Sequence, residues 1–239
     1  MNADAVILAI ESSGESGGAA VFVGRELRAE VPISARRSHG QNLVPAIRDA
    51  LAQAKVRGED VSAVVVNEGP GSYTGLRVGL AAAETFAFVH KIPVVGIGAM
   101  EAMCEELLRS DALLKSSGAL CLIPCLDARQ DEVMAAAFLW DGTKLTRTQH
   151  DMLVIPEQLG RLAGKDEALA FGSGAFVYRG RISLPVHAEN VEILPASVGL
   201  AAFRHKPDTF FETAPGARVQ LRYFRPVMAK TIVERGGSV

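Results

Sequence analysis

The chain has 239 residues, 49% hydrophobic and 22% charged, with a formal net charge of -2. That is ordinary globular composition, long enough for one large domain or two lobes. The charge balance gives no reason to expect a strongly basic, free-standing nucleic-acid binder, although a nucleic acid held mainly by a partner is compatible with it. No stretch approaches the ~20 apolar residues of a membrane span. The opening MNADAVILAIESSG lacks a basic n-region and reads as a first strand, not a signal peptide. Three cysteines, Cys104, Cys121 and Cys125, cannot all pair and fit a reducing, cytoplasmic setting. Cys121 and Cys125 lie in the apolar run ALCLIPCL, as small buried hydrophobes do.

In chain order, VILAI (6–10), GGAAVFVG (17–24) and ELRAEVPIS (26–34) read as an antiparallel three-strand meander. Ser38 then caps a helix through GQNLVPAIRDALAQAKV, with Leu43, Ile47, Ala50, Leu51 and Ala54 at helical spacing and Pro45 early, where its missing N–H matters least. SAVVVN (62–67) is a short buried strand. The glycine-rich NEGPGSYTGLRVG (67–79) leads into the helix LRVGLAAAETFAFVH, followed by the strand IPVVGI (92–97) and the helix AMEAMCEELLR.

A second group begins near Gly118. GALCLIPCLDA and EVMAAAFLW are strands joined by a polar turn, with GTKLTRTQ a third; IPEQLGRLAG is a short helix, EALAFGSG a strand and PASVGLAAFRH a helix. The pattern predicts two α/β lobes, residues 1–108 and 109–215, and a basic amphipathic tail, 216–239. No linker rich in Gly, Ser or Pro separates the lobes, so they should pack tightly.

Read from residue types alone, Glu11 ends the first strand and Asp127 the corresponding strand of the second lobe. Two carboxylates facing a cleft suit Mg²⁺ held through water; the alternative is that each caps a turn or pairs with a base such as Arg129. Ser72 does not sit in the G-x-S-x-G elbow of a hydrolase, and Ser72 or Thr74 reads as a helix cap. Gly71, Gly75, Gly79, Ala83 and Ala87 recur every four residues and form one small-residue ridge. An interior helical glycine costs about 1 kcal/mol relative to alanine, so the ridge should gain from close backbone approach, either by this protein's own sheet or by a second chain.

ILAIESS, GPGSYTGLRVG and LDARQDEV, in that order, together resemble the TsaB family, also called YeaZ, over most of residues 5–140. In the C-terminal third only RYFR, Arg222 to Arg225, is similar to that family's Tyr-Leu-Arg. The resemblance implies a two-lobed actin/hexokinase/Hsp70-like (ASKHA) fold with a mixed sheet in each lobe. It also implies a role as accessory subunit in making threonylcarbamoyladenosine on tRNA. The implied partners are a TsaD-like catalytic subunit, a TsaE-like ATPase, a TsaC-type enzyme that supplies the activated adenylate, a second copy when alone, and tRNA through the complex. It implies pairing through first-lobe helices and so favours a partner interface made by Leu43, Ile47, Leu51, Gly71, Gly75, Gly79 and Ala83. On that reading a bulky residue at Gly75 or Gly79 breaks association and leaves a folded monomer.

The resemblance extends to the catalytic sister family, TsaD, whose second-lobe turn reads Ser-Gly-Gly-His where this chain has Ala128, Arg129 and Gln130. The freedom of paired glycines to take positive φ around a phosphate is then lost. TsaD also carries His-Met-Glu-Gly-His where this chain has AMEAM, with Ala99 and Met103 at the ligand positions. Alanine cannot ligate, and a thioether suits a hard or borderline metal poorly. The five histidines, at 39, 90, 150, 187 and 205, form no i,i+4 pair. The expectation is a non-catalytic subunit with no metal and no resident cofactor. The rivals are an ATP- or ADP-binding phosphotransferase with Mg²⁺ at Glu11 and Asp127, or a homodimeric glycoprotease-like protein outside tRNA modification. The tail residues Arg222, Arg225, Lys230 and Arg235 are a candidate tRNA contact or a solvated face.

Overall fold

The computed structural model describes residues 4–34, 39–111, 119–206 and 212–224. Strands β1 (Val6–Glu11), β2 (Gly17–Val23) and β3 (Glu26–Ile33) form the expected meander, followed by helix α1 (His39–Ala54). Then come β4 (Val61–Gly69), α2 (Tyr73–His90), β5 (Val94–Gly98) and α3 (Ala99–Ser110). The second sheet is built from β6 (Leu120–Arg129), β7 (Glu132–Trp140), β8 (Leu145–Val154) and β9 (Ala168–Phe171), with short helices α4 (Gly160–Ala163) and α5 (Ser173–Val177) and the longer α6 (Pro195–His205). The sheet orders are β3-β2-β1-β4-β5 and β8-β7-β6-β9. Both sheets are mixed: β1 pairs antiparallel with β2 and parallel with β4, and β6 pairs antiparallel with β7 and parallel with β9. This is the two-lobed α/β architecture that the resemblance implied.

The period-2 alternation of β1 explains the layering. Val6, Leu8 and Ile10 face one way and join Leu43, Ile47 and Leu51 of α1 with Ala83 and Ala87 of α2. Ile7 and Ala9 face the other way, into a core shared by α3, α6 and the inner face of the second sheet, including Leu122, Met134 and Phe138. The far face of the second sheet, with Ile123, Val133 and Ala135, is covered by Leu159, Leu162 and Ala175. One continuous apolar core therefore spans both sheets, as the missing linker led us to expect.

Helix α6 departs from the expected lobe boundaries. It falls within 109–215, but it packs on α3, β1 and β2 of the first lobe. Phe203 meets Phe22 edge-on at 5.1 Å, and Gly199 lets the helix approach, since a Cβ there would lie 2.4 Å from the Phe22 ring. The Ala196 amide in the first turn of α6 donates to Glu30 of β3 at 2.9 Å, supplying one of the helix's orphan donors with an acceptor. The seam residues 112–118, the Ser38 cap and tail residues 225–239 lie outside the described residues, and so do the side chains of residues 35–39, among them that of His39. Among the described residues no helix is long and apolar enough to cross a membrane.

Candidate functional site

Three chain segments meet where β1 and β4 end and α2 begins. The Glu11 carboxylate accepts from the Ser13 amide and, at 2.7 Å, from Asn67 Nδ2, which also reaches Ser13 Oγ at 2.9 Å. Asn67 Oδ1 accepts from the Gly69 amide at 2.8 Å. Glu11 is wholly buried. Burial pushes its carboxyl above the usual range, and the hydrogen bonds from Ser13 and Asn67 work against that push.

Helix α2 is fastened to the same loop. Ser72 caps it as expected, its Oγ accepting from the Gly75 amide at 3.4 Å, and the Ser72 amide donates to Ser13 O at 2.9 Å. Ser12 Oγ donates to the Gly75 carbonyl at 2.8 Å. The glycine ridge lies against this loop: a Cβ at Gly71 would lie 2.7 Å from Ser13 Cβ, at Gly75 2.1 Å from Ser12 O, and at Gly79 2.3 Å from Ser12 Oγ. Leu43, Ile47, Leu51 and Ala83 are buried in the core beneath α1 and α2. All seven positions expected to meet a second chain are thus occupied by this chain's own packing. The close backbone that the ridge glycines admit is that of the loop after β1, as the internal reading expects.

Between the lobes lies a cleft of about 260 Å³, walled by Ser13, Gly71 and Ser72 on one side and Asp127, Arg129 and Phe176 on the other. Asp127 lines it, but Glu11 does not, so the two carboxylates are not set on facing walls. Asp127 instead pairs with the Arg129 guanidinium at 3.1 Å and accepts from the Arg129 amide at 2.9 Å, which is the turn-capping alternative. Among the described residues no three His, Cys, Asp or Glu side chains gather as a metal-ligand set.

The β6–β7 turn corrects one expectation. Although it lacks glycine, Arg129, Gln130 and Asp131 adopt φ of 65°, 56° and 60°. The tight hairpin that pairs Arg129 with Glu132 demands left-handed residues, whatever their side chains. On α3, Ala99 and Met103 are fully buried, while Glu101 between them pairs with Arg147 of β8 at 2.8 Å.

The remaining histidines are dispersed. His90 stacks near Phe86 at 4.5 Å, His187 lies 3.7 Å from Asp111, and burial pulls the imidazole of His205 below its usual range. The Arg222 expectation also changes. Its guanidinium pairs with Glu68 and Asp151, so it belongs to the fold and not to a free basic face. Sequence reasoning missed this placement of Arg222; its signals were Gly96, unusual inside a strand, and Gly98 at the end of β5.

Exposed apolar residues sit elsewhere on the first-lobe helices. On α2, Phe88 is 85% and Val89 66% exposed, and Val44 on the neighbouring α1 is 65% exposed. Tyr73, Arg77, Ala81, Glu84 and Thr85 complete the outward row of α2.

The family described as TsaD, tRNA N6-adenosine threonylcarbamoyltransferase, matches residues 29–201. The chain is 28% identical over 166 residues to the tRNA threonylcarbamoyladenosine biosynthesis protein TsaB of Bacillus subtilis, covering 69% of each chain. It is 26% identical over 197 residues to TsaB of Escherichia coli, covering 80% of this chain and 82% of that one. Its fold matches that of YeaZ from Pseudomonas aeruginosa with a TM-score of 0.73 at 22% identity, over 92% of this chain and 99% of that one. With more than half its length matched, the chain belongs to the family described as TsaD, and the two curated relatives above, to which it is similar over most of its length, are both named TsaB.

Proposed function

We propose that this chain is a non-catalytic subunit of the machinery that makes threonylcarbamoyladenosine on tRNA. It binds a TsaD-like threonylcarbamoyltransferase and stabilises that partner's active state through its higher affinity for it. A TsaE-like ATPase is a further partner, a TsaC-type enzyme supplies the activated adenylate, and two copies pair when the partner is absent. The observation that carries this reading is the outer face of α2, where the consecutive Phe88 and Val89 are both exposed; Val44 is exposed on α1 as well. Neighbouring exposed apolar side chains of this size mark an interaction surface. The non-catalytic half is supported by the chemistry of α3, whose Ala99 and Met103 carry no imidazole and are packed in the core.

The interface proposed is therefore the outward row Tyr73, Arg77, Ala81, Thr85 and Phe88, with Val44, in place of the buried ridge. The test is co-purification with a TsaD-like protein, followed by a tRNA modification assay with each subunit omitted in turn. Loss of modification without this chain, and loss of the complex on Phe88→Glu, are expected. Tight Mg²⁺-dependent ATP binding by the isolated chain would overturn the non-catalytic reading in favour of a phosphotransferase.

A further inference from the structure

The last described residues run back across both lobes. The Arg222 amide donates to the Glu68 carbonyl at 2.7 Å. Its guanidinium pairs with Glu68 of β4 and, at 3.4 Å, with Asp151 of β8. Asp151 lies 2.7 Å from Arg147, which also lies 2.8 Å from Glu101 of α3. Carboxylates and guanidiniums thus alternate from the first sheet, through the C-terminal segment, to the second sheet and back to α3. A network of this kind holds its members better than isolated surface pairs do.

Three glycines form the seat. A Cβ at Gly69 would lie 2.1 Å from the Arg222 carbonyl oxygen; at Gly96, 2.8 Å from Val219 Cγ1; and at Gly98, 3.1 Å from Arg222 Nη2 and 2.2 Å from Glu101 Oε2. Gly96 and Gly98, two apart, share one face of β5. Past the seat, the Tyr223 ring packs on Tyr73 at 4.9 Å, and Arg77 Nε donates to the Tyr223 hydroxyl at 3.4 Å while its guanidinium lies over Tyr73. Phe224 lines the inter-lobe cleft.

We infer that Val219–Phe224 is an inter-lobe strap, seated on Gly69, Gly96 and Gly98 and pinned by Arg222, that holds the lobes together and completes the N-terminal end of the α2 partner face with Tyr223. The clause about the partner face rests on the function proposed above; the clasp does not. The seated strap fixes Tyr73 and Arg77 in one arrangement, so partner affinity depends on a segment more than 140 residues away in sequence.

Hydrogen exchange on the isolated full chain tests the clasp, comparing wild type with Arg222→Gln and Gly98→Ala. The second variant crowds the seat while leaving the strap sequence intact, and Gly98 has φ of -69°, which alanine tolerates. Both should speed exchange at residues 67–69, 149–153 and 219–224 by roughly tenfold or more while leaving β1 and β6 amides unchanged. Unchanged exchange in both variants overturns the clasp. If only the Gly98 variant were affected, the Arg222 pin would be wrong. The coupling is read separately, as a loss of about tenfold in affinity of Tyr223→Ala for a TsaD-like protein; equal affinity overturns it. If the wild type did not bind that protein at all, the functional proposal would fail, and the exchange result would still decide the strap.

Discussion

Replacing Gly75 by alanine should destabilise this protein, although the same change in an open helix would stabilise it. The alanine Cβ would lie 2.1 Å from the Ser12 carbonyl oxygen, which is backbone and cannot swing aside. An ordinary C···O approach is about 3.3 Å or more, so α2 must move off the loop after β1 by roughly 1 Å. Overpacking of this kind costs about 1–3 kcal/mol. The movement also strains the Ser12 Oγ to Gly75 O hydrogen bond, worth about 0.5–1.5 kcal/mol. Helix propensity returns about 1 kcal/mol. The net expectation is a loss of about 2 kcal/mol, or a fall of about 4–8 °C in Tm for a chain of this size. Thermal unfolding followed by circular dichroism reads it. Gly40→Ala in the first turn of α1 is the control: among the described residues, nothing beyond its own stretch of helix lies within 4 Å of the point its methyl group would occupy, so it should gain up to about 1 kcal/mol. A Gly75→Ala protein that melted with the wild type and lost only its partner would refute the reasoning and restore the ridge as an interface.

Phe88→Glu should leave stability within about 0.5 kcal/mol, because the ring is 85% exposed, while self-association measured by light scattering falls; an unchanged dimer would remove this face from the interface. Cys104, Cys121 and Cys125 should resist a thiol reagent until the protein unfolds, since burial pushes all three thiols up, Cys121 to about 11. Prompt labelling of the native protein would contradict their buried placement. His205 is partly buried, and desolvation pulls its imidazole below the usual 6.5. Below that value the unfolded chain binds the extra proton first, so the stability its neutral form contributes is present above 6.5 and is lost as pH falls through the lowered folded value. His205→Gln should flatten the fall in urea midpoint on acidification; an unchanged slope would place the imidazole in solvent.

Much of the fold was legible because periodicity reports which faces are buried. Val6, Leu8 and Ile10 against Ile7 and Ala9 describe a central strand covered on both sides, and the structure places β1 there. Less was legible where chemistry and pattern part. Strand β8 runs to Val154, past the expected end at 149, because pairing with β7 continues through register shifts while TRTQHD shows no apolar alternation. Helix α5 is only five residues long, too short for a period to register. Helix α6 follows the second sheet in sequence but is held by Phe22 and Glu30 of the first, a pairing no local pattern encodes. At the candidate site, Ser72 as a cap could be read from residue type and position. The separation of Glu11 from the cleft could not, because nothing near Glu11 in sequence announces Asn67 as its partner.

The glycines show why the interface was the harder inference. A missing side chain says that some backbone or side chain comes close, but it does not say whose. Gly71, Gly75 and Gly79 admit the loop after β1, and Gly69, Gly96 and Gly98 admit the C-terminal segment, so both sets are filled from within. A surface for another protein must then be sought where side chains are present and uncovered, which on these helices means Phe88, Val89 and Val44. The internal glycines still bear on that surface. They fix the distance of α2 from its sheet and the position of Tyr223 on α2, so substitutions at either set should reach the partner only through the fold. Phe88→Glu should reach it directly, with the melting temperature unmoved, and that contrast separates a residue that touches the partner from one that positions the helix.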